Sequence, residues 1–122
     1  MPEFSSKSQG KLNSCHEKLQ VICNEAIKIT DFTVLCGHRN EIEQNKVYES
    51  GNSEVRWPRS KHNSHPSMAV DIAPYPIDWN DTERFARLAG VMDAIAFKYS
   101  VKLKWGGDFE SLKDMPHFQI ED

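Results

Sequence analysis

The sequence predicts an α+β domain, an antiparallel sheet flanked by helices. Two observations carry that expectation. Apolar residues recur at three-and-four spacing in two long stretches, the mark of amphipathic helices. Four short stretches rich in strand-forming residues end at glycine, proline or polar turns. At 122 residues the chain has room for one domain. No repeat, low-complexity tract or second domain is visible, so the expected division is a flexible arm over residues 1–10 and a single folded unit over 11–122.

The first helix is expected from Leu12 to Ile29, where Leu12, Cys15, Leu19, Ile22, Ala26 and Ile29 make one stripe and Val21 and Cys23 widen it. Asp31–Cys36 reads as a strand closed by Gly37, which delivers His38 and Arg39 at its end. Residues 40–50 contain good helix formers followed by Gly51, a short surface helix. The polar stretch 51–66, with Pro58 and Pro66, reads as a long loop, a kind of segment that in compact domains often carries function.

Met68–Ala73 alternates as a strand, with Met68, Val70 and Ile72 on one side and Ala69, Asp71 and Ala73 on the other. Asp71 thus stands between two small residues. Asn80 and Glu83 have capping-box spacing ahead of a second helix whose stripe is Phe85, Leu88, Ala89, Met92, Ile95, Ala96 and Tyr99. Val101–Trp105 and His117–Ile120 are the last two strands, with a turn at Gly106-Gly107 between them.

Composition removes several function classes. A net charge of −3 with no basic block gives no electrostatic basis for nucleic-acid binding. No apolar run is long enough for a membrane span, and stable membrane association is not expected. Cys15, Cys23 and Cys36 are odd in number and lack CxxC spacing, so they are expected to be reduced and mostly buried, not a disulfide framework or a thiolate metal site. The N-terminus has no basic-apolar-small pattern of a secretory signal, which predicts a protein made in the cytoplasm.

Chemistry concentrates in two stretches, Ser60-Lys61-His62-Asn63 running on to Ala69-Val70-Asp71, and Asp114-Met115-Pro116-His117-Phe118. Catalytic zinc sites take three ligands from His, Asp and Glu and leave a fourth position for water. His62, Asp71 and His117 supply such a set if the strands carrying Asp71 and His117 pair. Asp114 is then placed to act as a general base, although an aspartate there serves equally well as a turn residue. Arg39 offers a fixed fork of donors to a carboxylate or to a developing oxyanion, or a structural salt bridge. His65 is a second candidate ligand inside the loop, and His16 reads as a helix-surface residue.

These motifs, together with Pro66-Ser67, Ala73-Pro74-Tyr75-Pro76, Trp79 and Trp105-Gly106-Gly107-Asp108, resemble the phage-type L-alanyl-D-glutamate peptidases. That group belongs to the zinc D-alanyl-D-alanine carboxypeptidase superfamily, which shares its fold with the Hedgehog signalling domain. Phe32-Thr33-Val34 leading into Gly37-His38-Arg39 is similar to the family's strand ending in Gly-Tyr-Arg, and the likeness runs from about Leu12 to Ile120. The resemblance implies a Hedgehog/DD-peptidase-like fold, Zn2+ held by His62, Asp71 and His117, Asp114 as base, and Arg39 stabilising the oxyanion or holding substrate. It also implies an endolysin that cuts the stem peptide of bacterial peptidoglycan, acting as a monomer in the periplasm after holin-type release.

His38 is expected to line the cleft, Trp105 to wall it or, more simply, to pack in the core, and Asp108 to orient a ligand histidine, meet substrate or serve as a turn residue. Against the superfamily pattern Ser-x-His-x-x-Gly-x-Ala-x-Asp, the span from His62 to Asp71 is two residues longer and Ser67 replaces the glycine. Two alternatives remain at this level: a D-alanyl-D-alanine carboxypeptidase or dipeptidase, and a noncatalytic zinc-binding module of the same fold.

Overall fold

In the computed structural model, which describes residues 2–110 and 113–121, four helices pack around a four-stranded sheet. The helices are α1 (Ser6–Leu12), α2 (Glu17–Ala26), α3 (Glu41–Glu49) and α4 (Thr82–Lys98). The strands are β1 (Phe32–Cys36), β2 (Ala69–Pro74), β3 (Leu103–Trp105) and β4 (His117–Ile120). Their order across the sheet is β1-β2-β4-β3, and every pair is antiparallel. The α+β expectation holds.

Alternation divides the two central strands between two environments. Val70 and Ile72 of β2 and Phe118 and Ile120 of β4 join Leu19, Ile22, Leu88, Met92 and Ile95 in the core beneath α2 and α4. Burying each such side chain contributes roughly 1.5–3 kcal/mol. Asp71 and His117 are direct partners in the β2–β4 register, so their side chains leave the sheet on its other face. Every residue of β2 is buried, and the 3-10 turn at Lys61–Asn63 packs on that second face, where His62 meets Asp71.

The amino-terminal region departs from expectation. Residues 4–8 are packed: Ser5 caps α1 by accepting from the Ser8 backbone, and Phe4 packs edge-on against Phe32 at 5.3 Å. Ser8 is buried and its Oγ accepts from the backbone N–H of Val34 at 3.2 Å, so α1 covers the outer edge of β1. Nor do residues 12–29 form one helix. The Ser14 hydroxyl donates to the Lys11 carbonyl at 2.6 Å and accepts from the His38 N–H at 3.0 Å, the competition for backbone that ends helices. The chain then bridges Cys15 to Ser67 before His16 caps α2, its Nδ1 accepting from Lys18 N–H. Apolar spacing alone could not reveal the break, because both helices face one core. Ile29 falls beyond α2 and is exposed.

The other elements follow their local signals. Asn40 and Glu43 form a reciprocal capping box on α3, and Gly51 past its end takes a left-handed φ of 85°. Asp81, not Asn80, caps α4 by accepting from Arg84 N–H. Cys15 and Cys23 are buried free thiols; burial pushes Cys15 up to about 12 and raises Cys23 further, which leaves both inert at neutral pH.

Candidate metal centre

Three side chains from three segments converge on the covered face of the sheet. Asp71 comes from β2, His117 from the first position of β4, and His62 from the 3-10 turn, whose Ser60 and Asn63 close a second reciprocal cap. His62 Nε2 lies 3.1 Å from Asp71 Oδ1 and 3.2 Å from His117 Nδ1, and the latter two atoms are 3.1 Å apart. All three residues are buried.

The outer hydrogen bonds decide what these inner atoms are. His62 Nδ1 sits 2.7 Å from the Gly37 carbonyl, which can only accept, so the proton of neutral His62 is on Nδ1 and Nε2 carries a lone pair. His117 Nε2 sits 2.8 Å from Gln119 Oε1, whose amide is oriented by donating its NH2 to Glu121. His117 Nδ1 is therefore a lone pair as well. Two imidazole lone pairs and a carboxylate oxygen thus meet with no donor among them, an arrangement that demands a positive charge at its centre.

The same demand is visible in the titration of these side chains. Burial opposes a charged His62, but the hydrogen bonds to Asp71 and Cys36 and the charge of Asp71 together outweigh it and push the imidazole up to about 9. Burial also opposes charge on Asp71, yet its contacts with His117 and His62 hold it well below the usual carboxylate range. A tetrahedral divalent ion with ligands at ~2.0–2.1 Å has ligand–ligand edges of about 3.3 Å, close to the triangle observed. The donor set and its spacing fit a metal ion.

Around the triad the second oxygen of Asp71 is held by Arg39, Nη2 to Oδ2 at 3.1 Å. Arg39 Nη1 donates to Gln44 Oε1 at 3.3 Å, and the fully buried Gln44 also donates to Ser53 Oγ and the Val55 carbonyl. Asn63 Nδ2 donates to the Arg39 carbonyl and to Gln44. Arg39 thus fixes Asp71 so that Oδ1 faces inward, the salt-bridge alternative open in the sequence. Asp114 Oδ2 stands 4.0 Å from His117 Nδ1, and burial, reinforced by the charge of Asp71, raises its pKa. Asp114 N–H donates to the Gly106 carbonyl, and Gly106 has no space for a side chain against the Asp114 carbonyl.

A cleft of about 320 Å3 opens on the triad, lined among others by Arg39, Arg59, Lys61, Phe109, Asp114 and Gln119. The three residues expected to meet substrate do not line it. His38 packs against His65 at 5.0 Å, away from the triad, and the exposed His65 is no part of the cluster. Trp105 donates its indole N–H to the Met115 carbonyl at 2.6 Å and packs on the core, which anchors the Asp114–His117 segment. Asp108 does not orient a ligand histidine, since Gly37 and Gln119 do so. Gln44, Gln119 and Phe109 were not singled out as site residues by the sequence.

Over residues 2–120 the chain matches the family model described as phage L-alanyl-D-glutamate peptidase. The chain belongs to that peptidase family. Among solved structures this peptidase is similar to the Serratia marcescens L-Ala D-Glu endopeptidase ChiX, with 28% identity and a TM-score of 0.84. The superposition covers 97% of this chain and 89% of that one. Family and fold together make the protein a peptidoglycan peptidase of the L-alanyl-D-glutamate type.

Proposed function

We propose that this peptidase is a zinc-dependent endolysin that hydrolyses the L-alanyl-D-glutamate bond of the stem peptide, with His62, Asp71 and His117 as ligands. The observation that carries the metal is the meeting of three lone pairs whose outer partners fix both histidine tautomers. Zinc bound there lowers the pKa of a water molecule and polarises the scissile carbonyl.

The chain's own residues supply the rest. Asp114, with its raised pKa and its position at the cleft beside His117, accepts the proton of the attacking water and returns it to the leaving amine. Arg39 keeps Asp71 oriented, and its remaining N–H groups, at the cleft wall, meet the oxyanion that develops on the carbonyl. Phe109, whose ring lies 5.6 Å from that of His117, closes one side of the site with apolar surface.

No helix among the described residues is long and apolar enough to cross a membrane. We take the working form to be a monomer without stable membrane association, made in the host cytoplasm and reaching the wall by holin-type release. Metal analysis of the purified protein, coupled to mass spectrometry of digested peptidoglycan, tests the reading. One zinc per chain and a newly exposed D-glutamate amino terminus are expected. Loss of a single D-alanine would replace the endopeptidase by a carboxypeptidase, and a metal-loaded protein that leaves the wall intact would end the catalytic reading.

A further inference from the structure

One cation of the cleft wall has no acceptor among the described residues. Of the three that line the cleft, Arg39 is held by Asp71 and Gln44, and Lys61 by the Ile120 carbonyl at 3.2 Å and Glu121 at 3.7 Å. The guanidinium of Arg59 makes no hydrogen bond or ion pair among the described residues. Yet its backbone is fixed. Arg59 N–H donates to the Arg56 carbonyl at 2.9 Å, and the next residue, Ser60, caps the turn that presents His62.

The wall around Arg59 is equally well tied down. Gln44 holds Ser53 and Val55 from below, Asn45 Oδ1 accepts from Trp57 N–H at 3.1 Å, and Arg56 stacks over Tyr48 at 4.7 Å. Arg59, exposed at the cleft wall that His62 and His117 also line, therefore offers a bidentate donor with no described partner.

We propose that Arg59 is a specificity-determining residue that binds the free carboxylate of the D-glutamate on the leaving side of the scissile bond. This rests on the peptidase reading above. The chemistry of the bond gives the direction. Alanine contributes only a methyl group, whereas glutamate has two carboxyl groups, and when the peptide continues through one of them the other remains an anion. Glu54 and Asp114 also line the cleft, so the selection comes from a local pair of charge-assisted hydrogen bonds and not from a net positive field.

The test compares two peptides cut at the same bond, one with the free glutamate carboxylate and one with that group converted to a carboxamide. Zinc-loaded wild-type enzyme is expected to favour the carboxylate peptide by about ten- to a hundredfold in kcat/KM, chiefly through KM. Arg59→Ala is expected to bring the carboxylate peptide down to the level of the carboxamide peptide, with zinc content and melting temperature retained, and Arg59→Lys to recover part of the preference. Calorimetric binding of the glutamyl leaving fragment should show the same ranking without turnover. A wild-type enzyme that cuts neither peptide overturns the peptidase reading and this assignment with it. A wild-type enzyme that cuts both equally, or an Arg59→Ala variant that keeps the preference, overturns the assignment alone.

Discussion

Gly106→Ala probes how tightly Asp114, the proposed general base, is held. A Cβ at Gly106 would fall inside the van der Waals surface of the Asp114 carbonyl oxygen, 2.9 Å from the Asp114 carbonyl carbon and 3.0 Å from His117 Cβ. Carbon atoms pack best at ~3.5–4.0 Å, so the backbone of Asp114 must retreat by at least about 0.6 Å. That backbone is not free to do so, because Asp114 N–H bonds the Gly106 carbonyl at 2.9 Å and Trp105 grips the Met115 carbonyl at 2.6 Å. Overpacking of this kind costs about 1–3 kcal/mol, which for a domain of this size lowers the melting temperature by roughly 4–12 °C. A displacement approaching 1 Å at the reacting groups reduces kcat/KM by about a hundredfold. Differential scanning calorimetry and a muropeptide-release assay at saturating zinc read the two effects. A Gly106→Ala enzyme with wild-type kcat/KM would refute the argument that this contact positions Asp114.

Three further outcomes are expected. Asp114→Ala should bind zinc and fold as the wild type while losing about 10²–10⁴-fold in muralytic rate, measured by turbidity loss of purified cell walls. Gln119→Ala removes the acceptor that fixes the His117 tautomer, so competitive zinc titration should show affinity weakened by about 10–100-fold, with most activity returning at high zinc. Gly90 lies on the exposed side of α4 with nothing within 4 Å of a new Cβ, so Gly90→Ala should stabilise the fold by about 1 kcal/mol and leave turnover as it is; a lower melting temperature would contradict this.

The sheet was legible in the sequence because each strand carries its own signal: alternation over 68–73, and short apolar stretches bounded by glycine or proline elsewhere. His62, Asp71 and His117 stood out in the sequence because their motifs are dense, and the fold brings them together, His62 included, despite the lengthened loop. What escaped was set by contacts distant in sequence. The break at Asn13–His16 depends on Ser67 and His38, which no helical periodicity registers. Ser8 reads as part of a polar arm until the fold brings it to the N–H of Val34, which donates to its Oγ. Gln44 occupies a surface-helix sequence, yet it is fully buried because Arg39, Ser53, Val55 and Asn63 converge on its amide. Trp105 was open to either the cleft or the core, and only the fold decides: it packs against the core while its indole N–H donates to the Met115 carbonyl.

Because Asp71 and His117 are facing partners across β2 and β4, shifting that pairing by a single residue would turn one of them into the hydrophobic layer. Such a misfolded chain would keep much of its secondary structure and compactness but have no place for the ion. Catalytic output per mole is therefore a direct count of correctly zipped molecules, a quality measure for refolded material that circular dichroism cannot supply.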